Sequence, residues 1–155
     1  MQHIDRPVSR NGVILLRMAV IYLLLGLLLG LGMAMSGRYQ LSSVHTHINL
    51  LGWVTLALAG LLYCLFPQLG TTPLARWHFW LHNLGLPVMI VALALYHLGH
   101  REVEPLLGIA SLTLFAGLAL FALNLFRTPL NSPVVAPKQS DLPVAIPDTV
   151  TDSAG

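Results

Sequence analysis

The sequence predicts an all-α protein, a transmembrane up-down bundle of four helices. Three observations predict it. Of the 155 residues, 55% are hydrophobic and only 9% charged, where an ordinary soluble domain is about a quarter charged. The apolar residues run in long blocks and not in alternation, and blocks of about 20 are what a bilayer core of about 30 Å asks of a helix. The joints between blocks are short, which makes neighbouring spans antiparallel. In lipid a backbone must satisfy its own hydrogen bonds, and unbroken apolar runs do so as helices.

The first block runs from about Val13 to Met35, and Gly37 with Arg38 ends it. It is too long for a cleavable signal peptide, and Gly-Met-Ala-Met-Ser is a weak cleavage site. The second runs from about Leu41 to Phe66, where Pro67 stops it. Pro73 and Arg76 precede the third, which reaches about Leu98. Arg101, Glu102 and Glu104 form a charged turn, Pro105 opens the fourth span, and Phe126-Arg127 closes it. The chain therefore divides into a cytoplasmic N-terminus (1–12), a four-helix transmembrane domain (13–127) and a tail (128–155). That tail is rich in Pro, Ser, Asp and Val without helical period, and is expected to be disordered and cytoplasmic.

Charge sets the orientation. Arg6, Arg10, Arg17, Arg76, Arg127 and Lys138 lie on one side of the expected bundle; Arg38 and Arg101 lie on the other. The positive-inside rule places both termini in the cytoplasm, in the inner membrane of a bacterium. The net charge of +2 and pI near 9.0 reflect few acids and no basic patch, so no nucleic-acid partner is implied. Cys64 has no partner for an internal disulfide. There is no phosphate-binding loop, no nucleophile paired with a base, no carboxylate pair and no CxxC.

Small residues mark two stripes: Gly26-x-x-x-Gly30 in the first span, and Gly52, Thr55, Ala59 and Gly60 in the second. Such spacing lets helices approach closely, either inside the bundle or at a homodimer seam.

Six histidines lie in or beside the spans: His45, His47, His78, His82, His97 and His100. Ionisable residues at membrane depth are costly and usually functional, although one near a helix end can simply sit wet at the headgroups; His78, His100 and His45 are open to that reading. At about 1.5 Å per residue, His47 lies roughly 9 Å below the outer boundary and His82 roughly 9 Å inside the other. His97 is on the outer side, about a turn shallower than His47. His78 and His82 share a helix face at i, i+4; His45 and His47, at i, i+2, point apart. Two ring nitrogens on one metal must lie roughly 4 Å apart. His47 with His97 is therefore the better pair within one chain, and His47 with its copy in a second subunit is the other option. His82 is held in reserve, because "LHNLG" sets a histidine and an amide beside a close-packing glycine.

The stretch "HTHINLLGWVTLALAGLLYCLFP" (45–67) resembles the second helix of subunit I of the haem–copper oxidases, the cytochrome c oxidase and nitric oxide reductase large-subunit superfamily, especially its nitric oxide reductase branch. In that family a histidine at the outer end of this helix ligates the low-spin haem b. The matching positions are His47, Asn49, Trp53, Gly60, Tyr63 and Pro67, with His45 as the register alternative. "WHFWLHNLGLPVM" (77–89) resembles the start of the next helix, and the likeness extends over roughly residues 12–100.

The resemblance implies a short, four-span relative of subunit I, without the later helices that supply the second haem ligand, the metal-binding histidines and the catalytic tyrosine. It implies a small haem-b-binding membrane protein, an electron carrier or an accessory to a respiratory oxidase or reductase complex, with no oxidase activity of its own. His47 is the expected ligand and His97 the expected second one, with His45 and His82 behind them. The other ring nitrogen of His47 needs a partner, either a carbonyl in the first joint or Ser43 one turn back. A non-catalytic copper- or zinc-binding or oxidase-assembly protein, with His47 and His97 as the metal ligands, and a structural subunit are the alternative readings.

Overall fold

The structure, a computed structural model, describes residues 9–130. The first eight residues of the expected N-terminal segment, and the expected tail from residue 131 on, lie outside the described residues. Four helices are long and apolar enough to cross a membrane. They are α1 (Arg10–Ser36), α2 (Ser42–Leu65), α4 (Pro73–His97) and α5 (Glu104–Arg127); a single turn, α3 (Pro67–Gly70), lies between α2 and α4. The up-down bundle expected from the sequence is what forms.

Local chemistry sets the helix ends. Ser9 caps α1, its hydroxyl accepting from the Gly12 N–H at 3.3 Å. Gly37 ends α1 at φ 64°, the left-handed conformation that favours glycine. Phe66, held extended before Pro67, ends α2. Thr72 caps α4 through the Ala75 N–H at 3.0 Å, with Pro73 in the first position, where its missing donor costs nothing. At the other end of α4 the His100 N–H closes back on the Leu95 carbonyl at 3.0 Å while Gly99 takes φ 105°. A 3₁₀ turn, Arg101–Val103, leads into α5.

The chain packs as two antiparallel hairpins, α1 with α2 and α4 with α5, joined through a thinner seam. The small-residue stripes work inside the first hairpin. A Cβ on Gly12 would meet the Gly60 carbonyl and Cys64, one on Gly52 would meet the Tyr22 ring, and one on Gly26 would meet the Asn49 side chain. Leu15, Ala19, Leu56, Ala59, Tyr63 and Leu86 are buried in the core, and large apolar residues such as Leu28, Leu112 and Phe115 face outward, as a bilayer permits.

The centre of α2, Ile48–Thr55, is wound as a π-helix. Such widened turns are rare and recur at functional sites.

Candidate functional site

The end of the bundle opposite Arg10 and Arg127 carries His45 and His47 on the first turns of α2. The His47 Nδ1–H donates to the Ser43 carbonyl at 2.7 Å; a carbonyl can only accept, so the proton sits on Nδ1 and Nε2 keeps its lone pair. This is the expected partner one turn back, met through its backbone. The His45 Nδ1–H donates likewise to the Gly26 carbonyl of α1 at 2.9 Å. Its ring lies against Gly30, where a Cβ would come within 2.8 Å of it. Asn49 stands 3.4 Å from the same Nδ1, but that nitrogen already carries its proton toward Gly26, so the Asn49 amide instead donates to the His45 carbonyl at 2.8 Å. Both rings are half-buried. Both are fixed in the tautomer that ligating histidines generally adopt, one N–H on a carbonyl and the other nitrogen free.

His97, the expected companion of His47, is exposed at the last residue of α4. Among the described residues neither a hydrogen bond nor a ring contact joins the two; the His97 ring meets only its neighbour Tyr96, at 6.0 Å. The reason is depth. His47 is five residues into α2, roughly 7 Å by helical rise, whereas His97 stays at the boundary. His100 is also exposed, 3.0 Å from Glu102.

The other two histidines are buried together. His78 and His82 of α4 are both 0% exposed. His78 is thus enclosed by neighbouring helices and not solvent-exposed. Its Nδ1 lies 3.0 Å from the Tyr63 hydroxyl of α2, and Phe121 of α5 covers its ring at 5.0 Å between centroids. The His82 Nε2–H donates to the Leu51 carbonyl at 3.1 Å. That carbonyl lies within the π-wound segment, at whose end the Leu56 N–H turns to Trp53. The two imidazoles meet edge to face, 5.5 Å apart at 80°. His78 Nε2 and His82 Nδ1 have no hydrogen-bond partner. Since Leu51 lies four residues further along α2 than His47, His82 sits at least a turn from His47 in depth, and the two do not form one site.

The i, i+4 spacing of His78 and His82 is visible in the sequence. Their enclosure by Tyr63, Leu51 and Phe121 is not, because it depends on how the hairpins dock. Beyond them, Asn124 of α5 is fully buried. Its amide donates to the Leu69 carbonyl at 2.9 Å, and its oxygen accepts from Thr72 at 2.8 Å and Thr128 at 3.2 Å. This network closes the bundle at the end carrying Arg10 and Arg127.

Two surface grooves mark the bundle. One, about 280 Å³, is lined by Gly32, Met33, Arg38, Leu41 and Leu98; the other, about 250 Å³, by Tyr22, Ile48, Pro87 and Ile90. Neither is lined by a histidine. Among the described residues no group of three or more His, Cys, Asp or Glu side chains could hold a metal ion.

Comparison with known proteins finds a local similarity to a curated protein. Over 55 residues, 32% of its length, this chain is 40% identical to the cytochrome c oxidase subunit 1 homolog, bacteroid, of Bradyrhizobium diazoefficiens. The match spans 10% of that protein's length. No family model matches the chain, and no solved structure matches it.

Proposed function

We propose that this multi-pass membrane protein binds haem b through His47 and serves as an electron carrier or accessory of a respiratory oxidase or reductase complex. The carrying observation is the His47 ring, locked by Nδ1–H on the Ser43 carbonyl at 2.7 Å with Nε2 left free. A neutral imidazole held this way is the protein's ordinary contribution to an axial haem position. The local likeness to an oxidase subunit 1 homolog supports the reading. His45 has the same preparation on Gly26 and is the alternative ligand.

Neither of the two grooves described is lined by a histidine. A haem on half-buried His47 would be held with His97 or a second copy of His47 as the other ligand, the latter from a neighbouring chain. When bound, the haem would supply one-electron chemistry. With both axial positions filled by imidazole it would have no open site for oxygen.

The test is a reduced-minus-oxidised absorption spectrum of protein purified from haem-replete cells, compared with His47→Ala, His45→Ala and His97→Ala. Low-spin b-type bands lost in His47→Ala are expected. Bands lost only in His45→Ala move the ligand to that residue. Bands that survive both variants, or no bands in the wild type, overturn haem ligation on α2.

A further inference from the structure

We propose that His78 and His82 hold a single monovalent copper ion, Cu(I), between the two hairpins. The site is independent of the haem reading, which concerns the opposite end of α2. Four observations point to it.

First, both imidazoles are 0% exposed, and each has one nitrogen without a partner. Buried polar groups are nearly always satisfied, so two unpartnered nitrogens on neighbouring buried rings leave donor capacity that a ligand could use. Second, each ring is anchored at its other nitrogen, His82 on the Leu51 carbonyl and His78 on the Tyr63 hydroxyl. The Tyr63 O–H has no other acceptor among the described hydrogen bonds, so it donates to His78 Nδ1 and leaves that ring's proton on Nε2; a metal at Nε2 would reverse the tautomer, with Nδ1–H donating to the Tyr63 oxygen, whereas His82 Nδ1 already offers a lone pair.

Third, the separation fits. A metal–nitrogen bond of about 2.1 Å plus a ring radius of roughly 1.1 Å puts two ligating rings about 5 Å apart at a tetrahedral angle and about 6 Å apart in line. The observed spacing is 5.5 Å. Fourth, the surroundings select the ion. The acids among the described residues are Glu102 and Glu104, at the other end of the bundle. Among the described residues no anion neutralises a cation here, and the cost of burying an ion rises steeply with its charge, so a monovalent ion is preferred over a divalent one. Zinc normally takes four ligands in such closed sites, whereas among the described residues no cluster of three donors forms. Imidazole suits copper.

The residues around the pair come from α2, α4 and α5, so the site is complete only once the hairpins dock. Copper binding should therefore couple to their docking.

The experiment titrates the full-length protein, purified in detergent micelles under anaerobic reducing conditions, with Cu(I) against a chromophoric Cu(I) chelator. Thermal unfolding is followed in parallel. One Cu(I) per chain is expected, with a higher Tm on loading. His78→Ala and His82→Ala should each lose the site. Tyr63→Phe should weaken it about 10- to 100-fold, as loss of a ligand's supporting hydrogen bond does. His45→Ala and His47→Ala should keep full copper binding while changing any haem spectrum. Because the wild type itself must bind, a poorly folding variant leaves the test intact. A wild type that takes up no Cu(I), with water alone bridging the pair, overturns the proposal. So does copper that follows His45 or His47.

Discussion

His82 of α4 donates from Nε2 to the Leu51 carbonyl of α2 across 3.1 Å, tying the second hairpin to the π-wound centre of the first. The bond crosses the thinnest seam of the bundle, and the ring that makes it fills core space. These two contributions differ in size. A hydrogen bond between membrane helices contributes on average about 0.6 kcal/mol and at most about 1.7. Truncating a large buried side chain to Ala costs about 3–5 kcal/mol through the cavity it leaves.

Replacement of His82 should therefore follow volume more than polarity. His82→Ala is expected to destabilise the bundle by about 3 kcal/mol or more. His82→Phe, which keeps a ring but orphans the Leu51 carbonyl, should cost about 1–2 kcal/mol. Unfolding of copper-free protein in mixed micelles by increasing SDS measures both. Equal losses would show that the bond, and not the packing, holds the seam.

The glycines divide by what a methyl group would meet. A Cβ on Gly60 would lie 2.9 Å from the Gly12 carbonyl oxygen and 3.0 Å from the Leu16 nitrogen, both backbone atoms that cannot swing aside. A Cβ on Gly32 would meet nothing within 4 Å. Gly60→Ala should destabilise by about 1–3 kcal/mol, as overpacking does. Gly32→Ala should be neutral or gain up to about 1 kcal/mol from helix propensity. Melting temperatures of the two variants in one detergent decide it; a Gly60→Ala protein as stable as wild type would mean that α1 and α2 separate easily at this crossing.

The spans were legible because bilayer thickness imposes block length: observed ends at Ser36, Leu65, His97 and Arg127 fall within a residue or two of those read from the sequence. The small-residue stripes were legible as close approach, though their partners were not. Counting residues from a span's start leaves His78 open to a headgroup position. The structure buries it, because Tyr63 and Phe121 cover it from other helices and the bundle below is closed by the contacts of Asn124. A count of rise along one helix carries no information about what its neighbours add. The π winding of Ile48–Thr55 has no signature in apolar blocks, so the Leu51 carbonyl could not be foreseen as a partner. His45 and His47 were legible as candidates because polar residues are rare at such positions, and their carbonyl partners emerged only with the backbone.

Arginine distribution predicts the orientation. Arg10, Arg76 and Arg127 stand at the helix ends nearest the termini, while Arg38 and Arg101 stand at the opposite end. Arg17, exposed two turns into α1, has a side chain long enough to reach the same headgroups as Arg10. Both termini are therefore expected in the cytoplasm. A reporter fused after Gly155 that is active only in the cytoplasm should be active, and alkaline phosphatase at the same point inactive. The reverse pattern would invert the bundle and place His45 and His47 at the cytoplasmic face.

The closing contact between Thr72 and Asn124 gives the last prediction. The Thr72 hydroxyl does two jobs at once: it accepts from the Ala75 N–H at 3.0 Å, capping α4, and donates to the Asn124 oxygen at 2.8 Å. One oxygen thus orients the start of α4 and pins it to α5. Thr72→Ala removes both, and loss of a cap alone costs about 1 kcal/mol. Thr72→Ser keeps both and should be nearly silent. Asn124→Ala removes a partner from both the Leu69 carbonyl and Thr72, in a position that is 0% exposed, and leaves those two their 3.3 Å contact with each other; a weakened buried network of this kind should cost about 1–3 kcal/mol. Because the two residues share one bond, the double variant should lose less than the sum of the single losses, by about 0.5–2 kcal/mol. A double-mutant cycle on unfolding free energy in micelles reads this directly. Strict additivity would show that cap and network act separately, and that α4 is positioned by packing alone.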